Sequence, residues 1–329
     1  MKPGKRDRMT HTPRKDISLQ VIQDYEQGQI ALTEALQQLS GHHSAASSGR
    51  PQVDKSRLLS LLTELDELVG LDEVKRVVRE IFAYVFVQQT RIRHHLKAEP
   101  VVLHMVFLGN PGTGKTTVAR ILARLFHECG LLSQGHLVEV ERADLVGEYI
   151  GHTAQKTREL IKKALGGVLF IDEAYSLARG GEKDFGREAI DCLVKGMEDY
   201  KDQFITILAG YESEMEWFLS TNPGLPSRFP IQIHFPDYDA DSLLHIAKRA
   251  VANRQYRLSV DAELKLRKQI REVLAQVQGR QPFSNARWVR NVVERAVRHQ
   301  AVRLFDVQSP KREDLLTLQA ADFVQEARI

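Results

Sequence analysis

Gly109-Asn110-Pro111-Gly112-Thr113-Gly114-Lys115-Thr116 fills every position of the phosphate-binding pattern G-x-x-x-x-G-K-[ST]. The glycines permit a tight turn whose successive N–H groups converge on phosphate oxygens. Lys115 brings a mobile point charge to the outer phosphates, and the Thr116 hydroxyl suits Mg²⁺; Thr117 follows directly. Leu103 to Leu108 is a short, mostly apolar run that reads as a buried strand. Thr117 to Phe126 places apolar residues at helical spacing. A strand, a glycine-rich loop and a helix in that order set a helix N-terminus against an anion. The stretch therefore implies a nucleoside triphosphate, with ATP and Mg²⁺ as the expected ligands.

A second half-site lies downstream. Gly166 to Ile171 is another apolar run after a glycine pair, and it ends in Asp172-Glu173. Two adjacent carboxylates at the mouth of a buried strand are costly unless a cation meets them. Asp172 is expected to hold Mg²⁺, partly through water. Glu173 is expected to orient and deprotonate an attacking water. Standing alone, the pair would read as a solvated strand end; beside the phosphate loop it reads as catalytic.

Composition excludes several classes. The 329 residues carry 46 basic and 43 acidic side chains, a formal net charge of +3, so no strong global field draws nucleic acid. Lys2, Lys5, Arg6, Arg8, Arg14 and Lys15 cluster at the start and read as a solvated tail. Two cysteines, Cys129 and Cys192, argue against a disulfide framework. No apolar stretch approaches the roughly twenty residues of a membrane span, and no secretion signal is apparent. A cytoplasmic location is the expectation.

Four parts are expected: a short helical segment with a basic tail (1–40), a flexible linker (41–55), an ATPase core (56–236) and a helical domain (237–329). The linker holds His42-His43, which lack nearby Cys or acidic partners and are not read as a metal site. In the core, apolar strands alternate with helical patterns, the signature of an α/β parallel sheet. Beyond Asp237 the pattern is helical throughout: 242–254, 261–278 and 285–305.

In its order of phosphate loop, Asp172-Glu173, Ser227-Arg228-Phe229 and C-terminal helical domain, the chain resembles the AAA+ ATPases. Three stretches, 141–157, 169–186 and 222–230, resemble the CbxX/CfxQ branch, which contains stage V sporulation protein K and the red-type rubisco activases. The resemblance runs from about Leu58 to Leu318. It implies a P-loop NTPase core, a parallel sheet with flanking helices, followed by a small all-helical lid. It also implies roles for single residues. Val69 and Gly70, within Leu68 to Leu71, match the segment that packs on adenine, although a helix-entry staple is the plainer reading. Arg228 matches the arginine finger that reaches the neighbouring subunit's site, which requires a homo-oligomeric ring, a hexamer. Arg287 matches the sensor-2 arginine, with Arg290 one turn further as its rival. Tyr211-Glu212 stands where many AAA+ proteins carry a polar sensor-1 residue.

Gly147-Glu148-Tyr149-Ile150-Gly151 sets an aromatic and an aliphatic residue between glycines. Tyr149 and Ile150 either pack locally, as large apolar residues usually do, or stand exposed. The resemblance implies that they line a pore and grip polypeptide. Two functions compete: a ring-shaped remodeller of a protein client, with sporulation implied by the resemblance, or a nucleic-acid motor. The loop carries Glu148 and no Lys or Arg, whereas a phosphate-tracking channel needs basic residues. Protein is the expected client.

Overall fold

The computed structural model describes residues 55–98, 102–149, 151–180, 184–277 and 282–324, all within one compact unit, Val53–Ile329. The expected N-terminal helices, basic tail and most of the linker lie outside the described residues, as does Ile150.

Two helices precede the sheet. In α1 (Lys55–Asp66) Leu58, Leu61, Leu62 and Leu65 are buried along one stripe. In α2 (Asp72–Arg93) Val74, Val78, Phe82 and Val85 form the buried face, and Asp72 and Glu73 complement the helix dipole in the first turn. The core then runs β1 (Met105–Gly109), α3 (Lys115–Glu128), β2 (Leu137–Val140), α4 (Arg142–Leu145), α5 (His152–Ala164), β3 (Val168–Ile171), a 3₁₀ turn (Ala174–Ala178), α6 (Gly186–Asp199), β4 (Ile205–Gly210), α7 (Glu212–Thr221), α8 (Leu225–Arg228) and β5 (Ile231–Phe235).

The five strands form one parallel sheet in the order β2-β3-β4-β1-β5. Parallel neighbours need crossovers, and the intervening helices supply them and cover the sheet. The central strands β3 and β4 are therefore buried throughout; β3 is an unbroken apolar run, and β4 is broken only by the buried Thr206. The edge strand β5 alternates outward polar and inward apolar residues. Val106 and Leu108 enter one core with Leu169, Ile171 and Leu208. On the opposite face the Phe107 ring meets those of Phe170 and Phe235, with centroids 6.5 and 5.0 Å away.

The lid comprises α9 (Ala240–Asn253), β6 (Arg257–Leu258), α10 (Val260–Val277), α11 (Asn285–Phe305), α12 (Arg312–Leu316), β7 (Thr317–Leu318) and a 3₁₀ turn (Ala320–Asp322). Leu243, Ala247, Leu266, Ile270, Val289 and Val293 form its core. The three expected helices are present, but the region is not helical throughout, because β6 and β7 form a two-residue parallel pair. Such short strands leave no periodicity to read. The buried Gln300 holds β7 in place, its amide donating to the Asp314, Leu315 and Thr317 carbonyls. Among the described residues, no helix is long and apolar enough to cross a membrane.

Candidate active site

The site residues emerge just beyond the C-terminal ends of four strands, where open parallel sheets carry their ligands. Register explains the convergence. Gly109 pairs with Phe235, Leu108 with Gly210 and Ile171 with Leu208. The phosphate loop after β1, Asp172-Glu173 after β3, Tyr211 after β4 and Tyr238 after β5 thus surround one cleft. With the turn between α1 and α2 and helices α9 and α11 it forms a cavity of about 490 Å³, a size suited to a small-molecule ligand.

Backbone geometry explains the loop's glycines. Gly109 and Gly112 have φ of 150° and 71°. A Cβ at Gly109 would come 2.3 Å from the Phe235 carbonyl oxygen; one at Gly112 would come 2.3 Å from that of Ser284. Gly109, Pro111, Gly112, Gly114, Lys115, Thr116 and Thr117 all line the cleft. The side chains of Asn110 and Thr113 turn elsewhere: the Asn110 amide donates to Asp237, and the buried Thr113 hydroxyl donates to the Asn110 carbonyl at 2.8 Å.

The Lys115 ammonium donates to the Gly109 and Asn110 carbonyls at 2.7 and 2.8 Å. Burial pulls its pKa below the usual lysine range; Asp172 opposes that shift and Arg287 adds to it. Lys115 therefore feels both Asp172 and Arg287 across the cleft. Asp172 and Glu173 are exposed to it, and Glu173 has left-handed backbone with φ 47°, which turns its side chain out of the strand direction. Among the described residues no group of three or more His, Cys, Asp or Glu could cage a metal ion. The hard oxygen donors near the loop are the Thr116 hydroxyl and the Asp172 carboxylate. They fit Mg²⁺, which takes few protein ligands and completes its shell with phosphate and water.

Tyr211 lines the cleft, and its ring lies 5.8 Å from that of Tyr175. Burial and then the Glu173 charge push its pKa up. Gly210 is needed behind it, since a Cβ there would lie 2.7 Å from Tyr175 Cδ1 and 2.8 Å from Met215 Cγ. Gly210→Ala is expected to cost about 1–3 kcal/mol through overpacking, read as a lowered Tm in thermal unfolding.

Val69 lines the cleft together with Leu68 and Leu71. Gly70 instead faces the lid, where a Cβ would be 3.5 Å from Ser242 Oγ and from the Tyr238 ring. Lys75 was not apparent as a site residue in the sequence. It is buried, and its ammonium donates to the Asp66 and Leu68 carbonyls at 3.1 and 2.5 Å, which fixes this turn. Arg249 of α9 pairs with Glu67 and ties the lid to the same turn. Arg287 and Arg290 both line the cleft, but their charges act on different neighbours: Arg287 on Lys115 and Tyr211, Arg290 on Tyr238.

Arg228 is not part of this cleft. It ends α8 beside a second cavity of about 450 Å³ near the N-terminal ends of β1 and β4. There it pairs with Glu198 and donates to the Gly224 carbonyl at 2.7 Å. His104 lines the same cavity; burial lowers its pKa to about 4, and its Nδ1 accepts the Thr206 N–H at 3.0 Å. Tyr149 does not pack into the core. It is 66% exposed, with an edge-on ring contact to His152 at 5.4 Å. Its loop is anchored at the base, where the Gly147 N–H donates to the buried Thr153 hydroxyl at 2.9 Å and the Lys156 ammonium donates to the Val146 carbonyl at 3.2 Å.

Comparison with known proteins agrees with this architecture. Residues 105–237 match the ATPase family associated with various cellular activities (AAA), and residues 239–328 match the AAA lid domain. Stage V sporulation protein K of Bacillus subtilis (strain 168) is 59% identical over 259 residues, covering 79% of this chain and 80% of that protein. The chloroplastic ribulose bisphosphate carboxylase/oxygenase activase of Cyanidioschyzon merolae (strain NIES-3377 / 10D) is 44% identical over 275 residues, covering 82% and 92%. The AAA domain of FIGL-1, solved in complex with ADP, superposes with a TM-score of 0.54 at 18% identity, covering 84% of this chain and 90% of that one, a likeness of fold alone. With its phosphate loop, parallel sheet and C-terminal lid, the chain belongs to the AAA family and is an ATP-hydrolysing enzyme of the AAA+ type.

Proposed function

We propose that this protein is the subunit of a homo-oligomeric ring, a hexamer, that spends ATP to remodel or thread a protein client. The reading is supported above all by Tyr149, a large aromatic side chain held out in solvent while its loop is tied down through the backbone. Exposed aromatic surface of this kind marks contact with a partner. An aromatic grip adds contact area to any extended chain regardless of its sequence. The loop's exposed charge is Glu148, so it does not favour a polyanion. Ile150 is proposed as its companion in the grip.

Within the cleft, the loop N–H groups and Lys115 bind the phosphates, while Thr116 and Asp172 would hold Mg²⁺. The metal, when bound, neutralises charge on the phosphate oxygens. Glu173 takes a proton from the attacking water as its oxygen bonds to the γ-phosphorus and the bond to the bridging oxygen breaks, leaving ADP and phosphate. Val69 packs on the adenine. Arg287, which lines the cleft as its rival Arg290 does, serves as sensor 2. Arg228 serves as the finger for the adjacent subunit. The client is assigned to sporulation, as the name of the 59% identical relative indicates; the 44% identity to a rubisco activase supports the sister reading, a remodeller of that enzyme.

Tyr149→Ala is expected to keep the wild-type melting temperature and basal ATP hydrolysis while losing stimulation by an unfolded polypeptide. Thermal melts and ATPase assays with and without permanently unfolded casein check this. A lowered Tm with hydrolysis lost in parallel would show that Tyr149 is a packing residue.

A further inference from the structure

Asn285, the first residue of α11, is fully buried and adopts left-handed backbone with φ 46°. Outside glycine this conformation persists only where the surroundings over-determine it, and such residues cluster at switch regions. Here the surroundings are the phosphate loop on one side and the lid on the other. The Asn285 side-chain oxygen accepts the Tyr238 N–H at 2.9 Å, at the junction between core and lid. Its amide donates to Asp237 Oδ1 at 2.7 Å, to the Phe283 carbonyl at 2.9 Å and to the Pro111 carbonyl at 3.4 Å.

The same junction engages four consecutive residues of the loop. Asn110 donates to both Asp237 oxygens, at 3.0 and 2.9 Å; Pro111 accepts from Asn285. The Gly112 carbonyl accepts the Ala286 N–H at 3.2 Å, and the Thr113 carbonyl accepts the Tyr238 hydroxyl at 3.1 Å. Gly112 sits so close to α11 that no side chain fits between them. A buried amide with its oxygen and both hydrogens engaged is costly to strand, so its partners tend to move with it.

We infer that Asn285 is a positioning residue that couples the phosphate-binding loop to the lid, so that nucleotide seated on the loop and the angle of the lid are linked through its side-chain amide. Arg287, two residues further along the same helix, is carried into or out of the cleft by that motion. The inference rests on the reading of the cleft as the ATP site.

The test uses the full chain with spin labels at Glu159→Cys in α5 and Leu264→Cys in α10, both exposed, in a Cys192→Ser background that leaves only the buried Cys129. Labelled protein is diluted into unlabelled protein, and intrachain distances are read by pulsed EPR with and without Mg²⁺ and ADP. In the otherwise wild-type chain the distance is expected to shift on ADP binding. Asn285→Gly accepts the left-handed backbone while deleting the amide. It is expected to lose that shift at saturating ADP and to bind ADP about tenfold more weakly. A purely structural role would lower the melting temperature and leave the shift intact. A wild-type shift in Asn285→Gly, or no shift in the parent chain, overturns the inference. Asp237→Ala removes the shared acceptor at an exposed position and is expected to lose the shift as well; if Asn285→Gly fails to fold, this variant decides, and a retained shift overturns the inference. Failure of the ATP-site reading is separately visible, as undiminished ADP binding by Lys115→Ala.

Discussion

Glu173→Gln is expected to bind ATP normally and to hydrolyse it about a hundredfold or more slowly. Glu173 stands at the end of β3 with its backbone turned left-handed, facing the cleft beside Asp172. The change to glutamine preserves size and hydrogen bonding but removes the basic oxygen that receives the water's proton. Phosphoryl transfer depends on positioning and charge stabilisation, so the substrate remains bound while turnover stalls. Lys115→Ala is expected to fail earlier, in nucleotide affinity, because the ammonium that rests on the loop carbonyls is the loop's own cation. Binding of fluorescent ATP followed by single-turnover hydrolysis separates the two defects. Near-normal turnover in Glu173→Gln would show that another group is the base.

Arg228→Ala is expected to reduce hydrolysis on the order of a thousandfold while each subunit still folds and binds nucleotide. The geometry behind this is negative and positive at once. Arg228 lies outside its own chain's nucleotide cleft, on the second cavity, where Glu198 and the Gly224 carbonyl hold it. Glu198 is largely exposed, and exposed ion pairs contribute little, so exchanging that partner for a neighbour's phosphate is inexpensive. Arginine suits the exchange because its charge is permanent and its planar fork matches phosphate oxygens. Mixing Arg228→Ala with Lys115→Ala protein is expected to restore part of the activity, since some junctions then join an intact loop to an intact finger. No recovery in mixed rings verified by native mass spectrometry would show that Arg228 acts within its own subunit.

Those parts of the molecule that are contiguous in sequence were legible without coordinates. The phosphate loop needs its glycines for backbone reasons that hold in any fold, and the buried strands β3 and β4 announce themselves as apolar runs ending in Asp172 and Tyr211. The helical stripes of α9, α10 and α11 were equally plain. What sequence could not show were contacts made only by tertiary convergence. Asn285, Asp237 and Tyr238 are ordinary polar residues until the lid folds back and sets them against Asn110 to Thr113. Lys75 reads as a surface lysine of an amphipathic helix, yet it is buried beneath the Leu68 turn. Glu198 and Arg228 lie thirty residues apart, with no periodic relation to betray their pairing. The reading of Tyr149 stood open for the same reason, because an aromatic between glycines packs or projects according to neighbours that the sequence does not name. Its 66% exposure favours projection over packing.

The central claim, that ATP hydrolysis here works on protein, is tested most directly by the response of the wild-type ATPase rate to an unfolded polypeptide and, in parallel, to single-stranded DNA. The account predicts stimulation by the polypeptide, loss of that stimulation in Tyr149→Ala, and no response to DNA. Stimulation by DNA alone would contradict it.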